Sequence, residues 1–230
     1  MECFYFSALT NDTTSFILPA DEAKHLKALR IKENEKFYVT NGHGLKAICL
    51  IKNFNKNGNL INIIDFVNPT SKKKNKIDLA LSILDNRERL EFAVEKAGEL
   101  GISSFIPFVS AYSQTKSVNL LRLRSKAIAA MKQSLSENIM NVESSINFND
   151  LLELAANYSQ IILCDENGSK PSISKDSDSI LILVGPEGGF SGEELAAIKK
   201  LNNCHSWSLG SSRLRAETAA ICAAGIAVIL

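Results

Sequence analysis

The chain has 230 residues, 45% of them apolar and 22% charged, with 26 basic against 25 acidic side chains. That length holds one large domain or two modest ones, and twelve glycines and five prolines are too few for a disordered, fibrous or collagen-like chain. The longest apolar run, residues 219–230, is short of a bilayer span and suits a buried helix, so no membrane segment is expected.

Residues 1–70 form the first predicted domain. The opening stretch MECFYFSALTNDTTS lacks a basic region followed by an apolar core, so no secretory signal is expected. A helix is expected over 21–29, and strands over 37–40, 46–51 and 60–67, separated by the turn signals Asn41-Gly42-His43-Gly44 and Asn57-Gly58-Asn59. Short strands at this spacing predict a small β-barrel. Residues 71–76, SKKKNK, carry four lysines and no acid and read as a basic linker.

From 77 the pattern alternates strand and helix. Strands are expected over 77–84, 102–109, 160–166, 179–184 and 205–209. Helices are expected over 87–100, 120–136, 150–157, 191–201 and 217–229, with Gly101 ending the first of them. The apolar strands predict a mostly parallel sheet covered by helices on both faces, in one domain over 77–230. Although this domain has a net charge of −4, residues 100–136 hold Lys116, Arg122, Arg124, Lys126 and Lys132 and no carboxylate. Such a segment presents either a positive face suited to phosphates or an ordinary solvated helix face. The five cysteines, Cys3, Cys49, Cys164, Cys204 and Cys222, are odd in number and scattered among apolar neighbours. They read as reduced core residues of a cytoplasmic protein, not as disulfides or a zinc site. His25, His43 and His205 are isolated from one another, and no metal centre is expected.

Two loops carry the chemistry. In ILILV-Gly185-Pro186-Glu187-Gly188-Gly189-Phe190-Ser191-Gly192-Glu193-Glu194 a buried strand ends in a glycine-rich turn and a helix starts at once, with Ser191 and Glu194 spaced as a capping box. Ligands of open parallel sheets bind outside the carboxyl ends of the strands, where glycine lets main chain approach them closely. The loop matches neither GxxxxGK[ST] nor GxGxxG, and no lysine or hydroxyl stands where a nucleotide phosphate and magnesium need one. Glu187 is expected to be buried or half-buried, a placement that calls for a partner or a use. In SLGSSRLRAETAAICAAG, residues 208–225, a strand again ends in a turn, and Arg213, Arg215 and Glu217 head an almost wholly apolar helix. Buried charges at such a helix start require partners.

With both loops in place, the sequence resembles the SPOUT-class RNA methyltransferases, and more narrowly the ribosomal RNA small subunit methyltransferase E family. The resemblance rests on LVGPEGGFSGEE (183–194) and LGSSRLRAETA (209–219), with weaker matches at EKAGELGISSFIP (95–107) and AMKQS (130–134). In the first domain His25-Leu26, Ala28-Leu29-Arg30 and residues 41–44 resemble the family's PUA-like barrel. The chain departs from the family's usual pattern at Ser113-Gln114-Thr115, Ser136-Glu137 and Met140.

The resemblance implies an α/β SPOUT domain with a trefoil knot over about 160–230, joined to an RNA-binding PUA-like barrel, and a homodimer built on the last helix. It implies methylation of uridine N3 in 16S ribosomal RNA of the small subunit by S-adenosylmethionine, without a metal. Leu163, Val184, Gly185, Gly189, Leu209, Gly210, Ser211 and Leu214 would hold the cofactor. Arg215 or Arg213 would stabilise charge on the uracil or hold a phosphate, and Glu217 or Glu187 would orient the site or accept the proton. Lys24, Lys27, Arg30, Lys72, Lys73, Lys74, Arg122 and Arg124 would contact RNA. The rival expectations are a SPOUT enzyme acting at another RNA position and a non-catalytic RNA-binding protein.

Overall fold

The computed structural model describes residues 1–55, 58–68, 75–174 and 176–230, without the side chains of 54, 55 and 58. The chain divides into two compact units, Met1–Lys72 with Ile128–Ile139, and Lys73–Ala127 with Met140–Leu230.

In the first unit β1 (Cys3–Tyr5), β2 (Ser15–Ile17), β3 (Phe37–Thr40), β4 (Lys46–Asn55) and β5 (Gly58–Phe66) form one sheet in the order β1-β3-β4-β5-β2. Every pairing is antiparallel except β1 with β3. The helix α1 (Ala20–Ala28) shares one core with all five strands, in which Phe4, Phe16, Leu26, Phe37, Cys49 and Ile61 are buried together. The sheet therefore curls around a single apolar centre. Residues 128–139 join this unit through the turn at 41–44: Gly44 N donates to Glu137 O at 2.9 Å, Ile139 N donates to Gly42 O at 2.9 Å, and Lys132 pairs with Glu22 at 2.6 Å. Two short strands, β1 and β2, stand where the sequence predicts no element, because three residues carry too little alternation to register.

The second unit holds β6 (Lys76–Ser82), α2 (Arg87–Leu100), β7 (Ser104–Val109), α3 (Leu120–Gln133, whose last residues are counted with the first unit), β8 (Asn141–Val142), β9 (Ile146–Asn147), α4 (Phe148–Ala155), β10 (Gln160–Ser169), β11 (Ser179–Val184), α5 (Gly192–Lys199), β12 (Cys204–Trp207) and α6 (Ala216–Ile229). The strands order as β12-β10-β11-β6-β7-β8, with β9 also on β7, and every pairing is parallel. Central strands buried on both faces need helices on both sides. On one face Ala80, Ile106, Phe108, Ile161, Leu163, Leu181 and Leu183 pack with Leu151 and Ala155 of α4 and Ile198 of α5. On the other, α6 packs against β6, β11 and β10, and α2 packs on α6.

Local signals set the helix ends. Asn86 accepts from Arg89 N to cap α2, and Gly101 at φ +80° ends it. Among the described residues no helix is long and apolar enough to cross a membrane. Nor do they contain a group of three or more His, Cys, Asp or Glu that could hold a metal.

Candidate functional site

Parallel strands send all their carboxyl ends to one edge of the sheet. There, in the order β12-β10-β11, the outer part of β10 and the loops after β11 and β12 surround a cavity of about 490 Å³. The loop after β11 contributes Gly185, Pro186, Glu187, Gly189 and Phe190, and the loop after β12 contributes Leu209, Gly210, Ser212, Arg213, Leu214 and Arg215. Val184 and Trp207 line it from the strand ends, Leu195 from α5 and Ala219 from α6.

The glycines give the loops their shape. Gly189 at φ +75° and Gly210 at φ +136° occupy conformations that side-chain-bearing residues resist, and a Cβ at either would meet nothing within 4 Å. Main chain is thus bared toward open space on both sides. The floor beneath is firm, since Phe190 stacks on Phe108 with centroids 6.0 Å apart.

The start of α5 ties the site together. Ser191 and Glu194 form the expected capping box, with Glu194 N donating to Ser191 Oγ at 3.2 Å and Ser191 N to Glu194 Oε2 at 2.9 Å. The other oxygen of Glu194 accepts from Ala111 N at 2.8 Å, so one buried carboxylate also fastens the loop after β7. The spacing Ser191-Glu194 reveals the cap, whereas nothing local reveals the partner eighty-three residues away.

Of the residues expected to hold a cofactor, Val184, Gly185, Gly189, Leu209, Gly210 and Leu214 line the cavity. Leu163 does not: it is fully buried in the core beneath, because strand alternation turns its side chain toward α4 and α5. Ser211 lines a neighbouring depression, with Glu166, Ser208 and Arg213. Arg215 stands at the cavity wall, exposed, as the residue before α6. Arg213 instead pairs with Glu166 at 3.7 Å, with both side chains largely in solvent.

The two glutamates differ in burial. Glu187 is exposed, contrary to the buried or half-buried placement expected for it, because the turn at 186–189 projects it past the strand end. It also lines a second hollow, of about 690 Å³, formed by the loops after β6, β7 and β11. Glu217 is the buried one, and it pairs with Arg89 of α2 at 3.6 Å instead of with Arg213 or Arg215. Its Oε2 is buried without a hydrogen-bond partner among the described residues.

Sequence reasoning misses the contribution of β10. Cys164, Asp165, Glu166 and Asn167 all line the cavity, and the abrupt change from IILC to DEN, where the pairing of β10 with β11 ends, is the signal that marks them. The hydrogen bond from Lys199, 2.7 Å away, holds the Asp165 carboxyl below the usual carboxylate range against the opposing effect of burial, assisted by Asn167 N. Burial pushes the Cys164 thiol up to about 12, so it is a neutral wall residue and no nucleophile.

The expected RNA contacts divide. Lys24, Lys27 and Arg30 are exposed on and just after α1 of the first unit, Lys24 lying 3.5 Å from Asp21. Arg122 donates to Glu91 at 3.0 Å and Arg124 to Val142 O at 3.4 Å, while Lys126 pairs with Glu95 at 3.0 Å. Two cations of the carboxylate-free segment, Arg122 and Lys126, thus find carboxylates on α2. Burial of Glu91 opposes its ionisation, but hydrogen bonds from Arg87 and Arg122 outweigh it and hold its carboxyl below the usual range. Lys72, Lys73 and Lys74 lie outside the described residues.

Residues 71–228 match the family model of the RNA methyltransferase domain, and residues 18–64 match that of the RNA methyltransferase PUA domain. The chain is 34% identical over 212 residues to ribosomal RNA small subunit methyltransferase E of Mesomycoplasma hyopneumoniae, covering 90% of each chain. It is 31% identical over 228 residues to that of Rickettsia conorii, covering 95% of this chain and 91% of the relative. Among solved structures, the Neisseria gonorrhoeae ribosomal RNA small subunit methyltransferase E bound to S-adenosyl methionine superposes with a TM-score of 0.88 at 25% identity, over 100% of this chain and 96% of the other. These likenesses run through both units and both glycine loops, and the chain belongs to the ribosomal RNA small subunit methyltransferase E family.

Proposed function

We propose that the protein methylates N3 of a uridine in the 16S ribosomal RNA of the small subunit, using S-adenosylmethionine and acting as a homodimer in the cytoplasm. The observation that carries this reading is the convergence of two bare glycine turns, after β11 and β12, on one cavity. Family membership and the cofactor bound to the Neisseria gonorrhoeae relative support it. The knot over about 160–230 belongs to the same reading.

The residues present fit that cofactor. Val184, Phe190, Leu195, Leu209 and Leu214 offer apolar walls to an adenine ring and the methylene groups beside the sulfonium, and the main chain at Gly185, Gly189 and Gly210 offers amides and carbonyls to the polar edge of adenosine. Asp165 and Glu166 suit ribose hydroxyls or an ammonium group. When bound, the cofactor supplies a methyl group on a positively charged sulfur.

The remaining requirements fall to the protein. Uridine N3 carries an imide proton and is a poor nucleophile until that proton is removed or polarised. Arg215 presents a planar donor fork to the negative charge that develops on the uracil. Glu187, exposed between the two hollows, accepts the N3 proton. Glu217, by holding Arg89, positions the wall of the second hollow. Lys24, Lys27, Arg30 and Lys72 to Lys74 supply phosphate contacts, and Arg122 and Arg124 only what their intrachain bonds leave free.

Single-turnover transfer from labelled S-adenosylmethionine to small subunits lacking the modification tests this. Wild type transfers one methyl group per subunit, and Arg215→Ala and Glu187→Gln fall by roughly a hundredfold each, the scale of a lost charge stabiliser or general base. Near-wild-type rates in both variants would remove these residues from the mechanism.

A further inference from the structure

The second hollow carries more than a wall for Glu187. It lies at the carboxyl ends of β11, β6 and β7, three neighbouring strands, and Glu187 is the residue common to its lining and that of the cofactor cavity. At its rim stands Tyr112, 55% exposed and without a hydrogen bond or ring contact among the described residues. An exposed tyrosine is ordinary, but the way this one is held is not. Ser113 N donates to Ser110 O at 3.1 Å, Ser110 N donates to Ser113 Oγ at 2.9 Å, and Ser113 Oγ lies 2.9 Å from Ser82 Oγ at the end of β6. On its other side Ala111 N is fastened to Glu194 at 2.8 Å. All four of these anchoring side chains, Ser82, Ser110, Ser113 and Glu194, are buried.

The chain across the hollow approaches this residue closely as well. A Cβ at Gly188 would come within 3.3 Å of Tyr112 Cβ, so glycine there lets the second loop close on the tyrosine. The outcome is an aromatic face whose main chain is fixed from two sides by buried bonds while its ring stays in solvent. Two more groups face the same hollow: the side-chain amide of Gln114, which makes no intramolecular hydrogen bond among the described residues, and the guanidinium of Arg89, fixed by Glu217. A flat stacking surface, a neutral group that both donates and accepts, and a fixed positive charge together match one unstacked nucleotide, with ring, carbonyl edge and phosphate.

We propose that this second hollow binds the target nucleotide of the RNA, an unstacked pyrimidine whose base stacks on Tyr112, with Gln114 hydrogen-bonding a base carbonyl and Arg89 facing the negative charge of base or phosphate. This rests on the methyl-transfer reading above and adds to it the place where the substrate base is held. Glu187, common to both hollows, then stands between base and cofactor cavity.

The test compares wild type, Tyr112→Phe, Tyr112→Ala and Gln114→Ala in methyl transfer to unmodified small subunits at saturating S-adenosylmethionine. Calorimetric titration of S-adenosylmethionine, thermal unfolding and sedimentation velocity are run on the same samples. Tyr112→Phe keeps the ring and should stay within about twofold of wild type, while Tyr112→Ala should lose roughly tenfold or more in kcat/KM for the subunit. Gln114→Ala should lose less. Cofactor affinity, unfolding midpoint and oligomeric state should be unchanged in all three. An undiminished Tyr112→Ala would overturn the proposal, as would a loss in that variant matched by weaker cofactor binding or by a changed oligomeric state. A wild-type protein that bound no S-adenosylmethionine or moved no methyl group would overturn the activity itself and the base site with it. An active wild type beside an undiminished Tyr112→Ala overturns only the site.

Discussion

Arg89 and Glu217 meet at 3.6 Å between the first turns of α2 and α6, and the second oxygen of that glutamate is buried with no hydrogen-bond partner among the described residues. A carboxylate in that position depends on its one cation, since removing one partner of a buried pair leaves an uncompensated charge. Arg89→Met should therefore lower stability by about 1–3 kcal/mol in urea unfolding. Arg89→Met combined with Glu217→Gln should lose less than the two single changes added together. Strict additivity would show that the two groups do not interact.

Glu194 joins two tasks in one side chain, capping α5 and fastening the loop after β7. Glu194→Ala should lower stability by about 1–2 kcal/mol, the scale of a lost cap together with an orphaned amide. Amide hydrogen exchange at Ala111 should accelerate in that variant while exchange in the first unit stays as it was. Unchanged protection at Ala111 would count against the link.

The glycine turns should be sensitive to a single methyl group. Gly210→Ala places a side chain on a backbone at φ +136°, and it projects into space that is open in the present structure. S-adenosylmethionine affinity by calorimetry should fall by about tenfold or more, through local strain of about 1–2 kcal/mol and the occupied volume. Equal affinity in wild type and variant would place the cofactor elsewhere.

Asp165 carries a pH signature. Its carboxyl is held below the ordinary range mainly by Lys199, so the folded state gains from its ionised form. That contribution is fully present above the unfolded carboxylate value of about 4 and disappears as pH falls through the lower folded value. Lys199 is half exposed, which keeps the effect near 0.5 kcal/mol. Urea midpoints of wild type and Lys199→Met should differ at neutral pH and converge as pH falls below about 4. A constant difference at every pH would refute the assignment.

The last helix should report assembly. α6 is apolar on all sides, yet Val228 and Ile229 are exposed, with Ile229 at 85%, and a Cβ at Gly225 would meet nothing within 4 Å. A helix apolar all round calls for cover on every side. Ile229→Glu should shift sedimentation from dimer toward monomer without lowering the unfolding midpoint of the monomer. A wild-type protein that is monomeric at every concentration would dismiss the homodimer.

Much of this was legible in sequence, and the exceptions have a common cause. Alternation of apolar strands with helices marks β6, α2, β11 and α6 closely, and Ser191 with Glu194 marks the start of α5, because these signals are local. The same locality hides Ala111 against Glu194 and Arg89 against Glu217, contacts made only when distant strand ends and helices are brought together. Glu187 is exposed against expectation for that reason, since packing around the loop fixes which carboxylate faces water, whereas Glu217 is buried as the apolar helix behind it implies. In the basic stretch after β7, the partners of Arg122 and Lys126 are hidden in the same way, since Glu91 and Glu95 lie on a helix that precedes it by some thirty residues. Strand alternation turns the side chain of Leu163 into the core and leaves Cys164, one residue on, to line the cavity.

Uridine-N3 methylation is distinguished from every rival activity by which atom of the RNA is modified. The deciding measurement is nucleoside analysis by mass spectrometry of small-subunit RNA, recovered after single-turnover incubation of unmodified subunits with this protein and methyl-labelled S-adenosylmethionine. The account predicts about one label per subunit, carried by 3-methyluridine. Label on any other nucleoside, or none in the RNA at all, would contradict it.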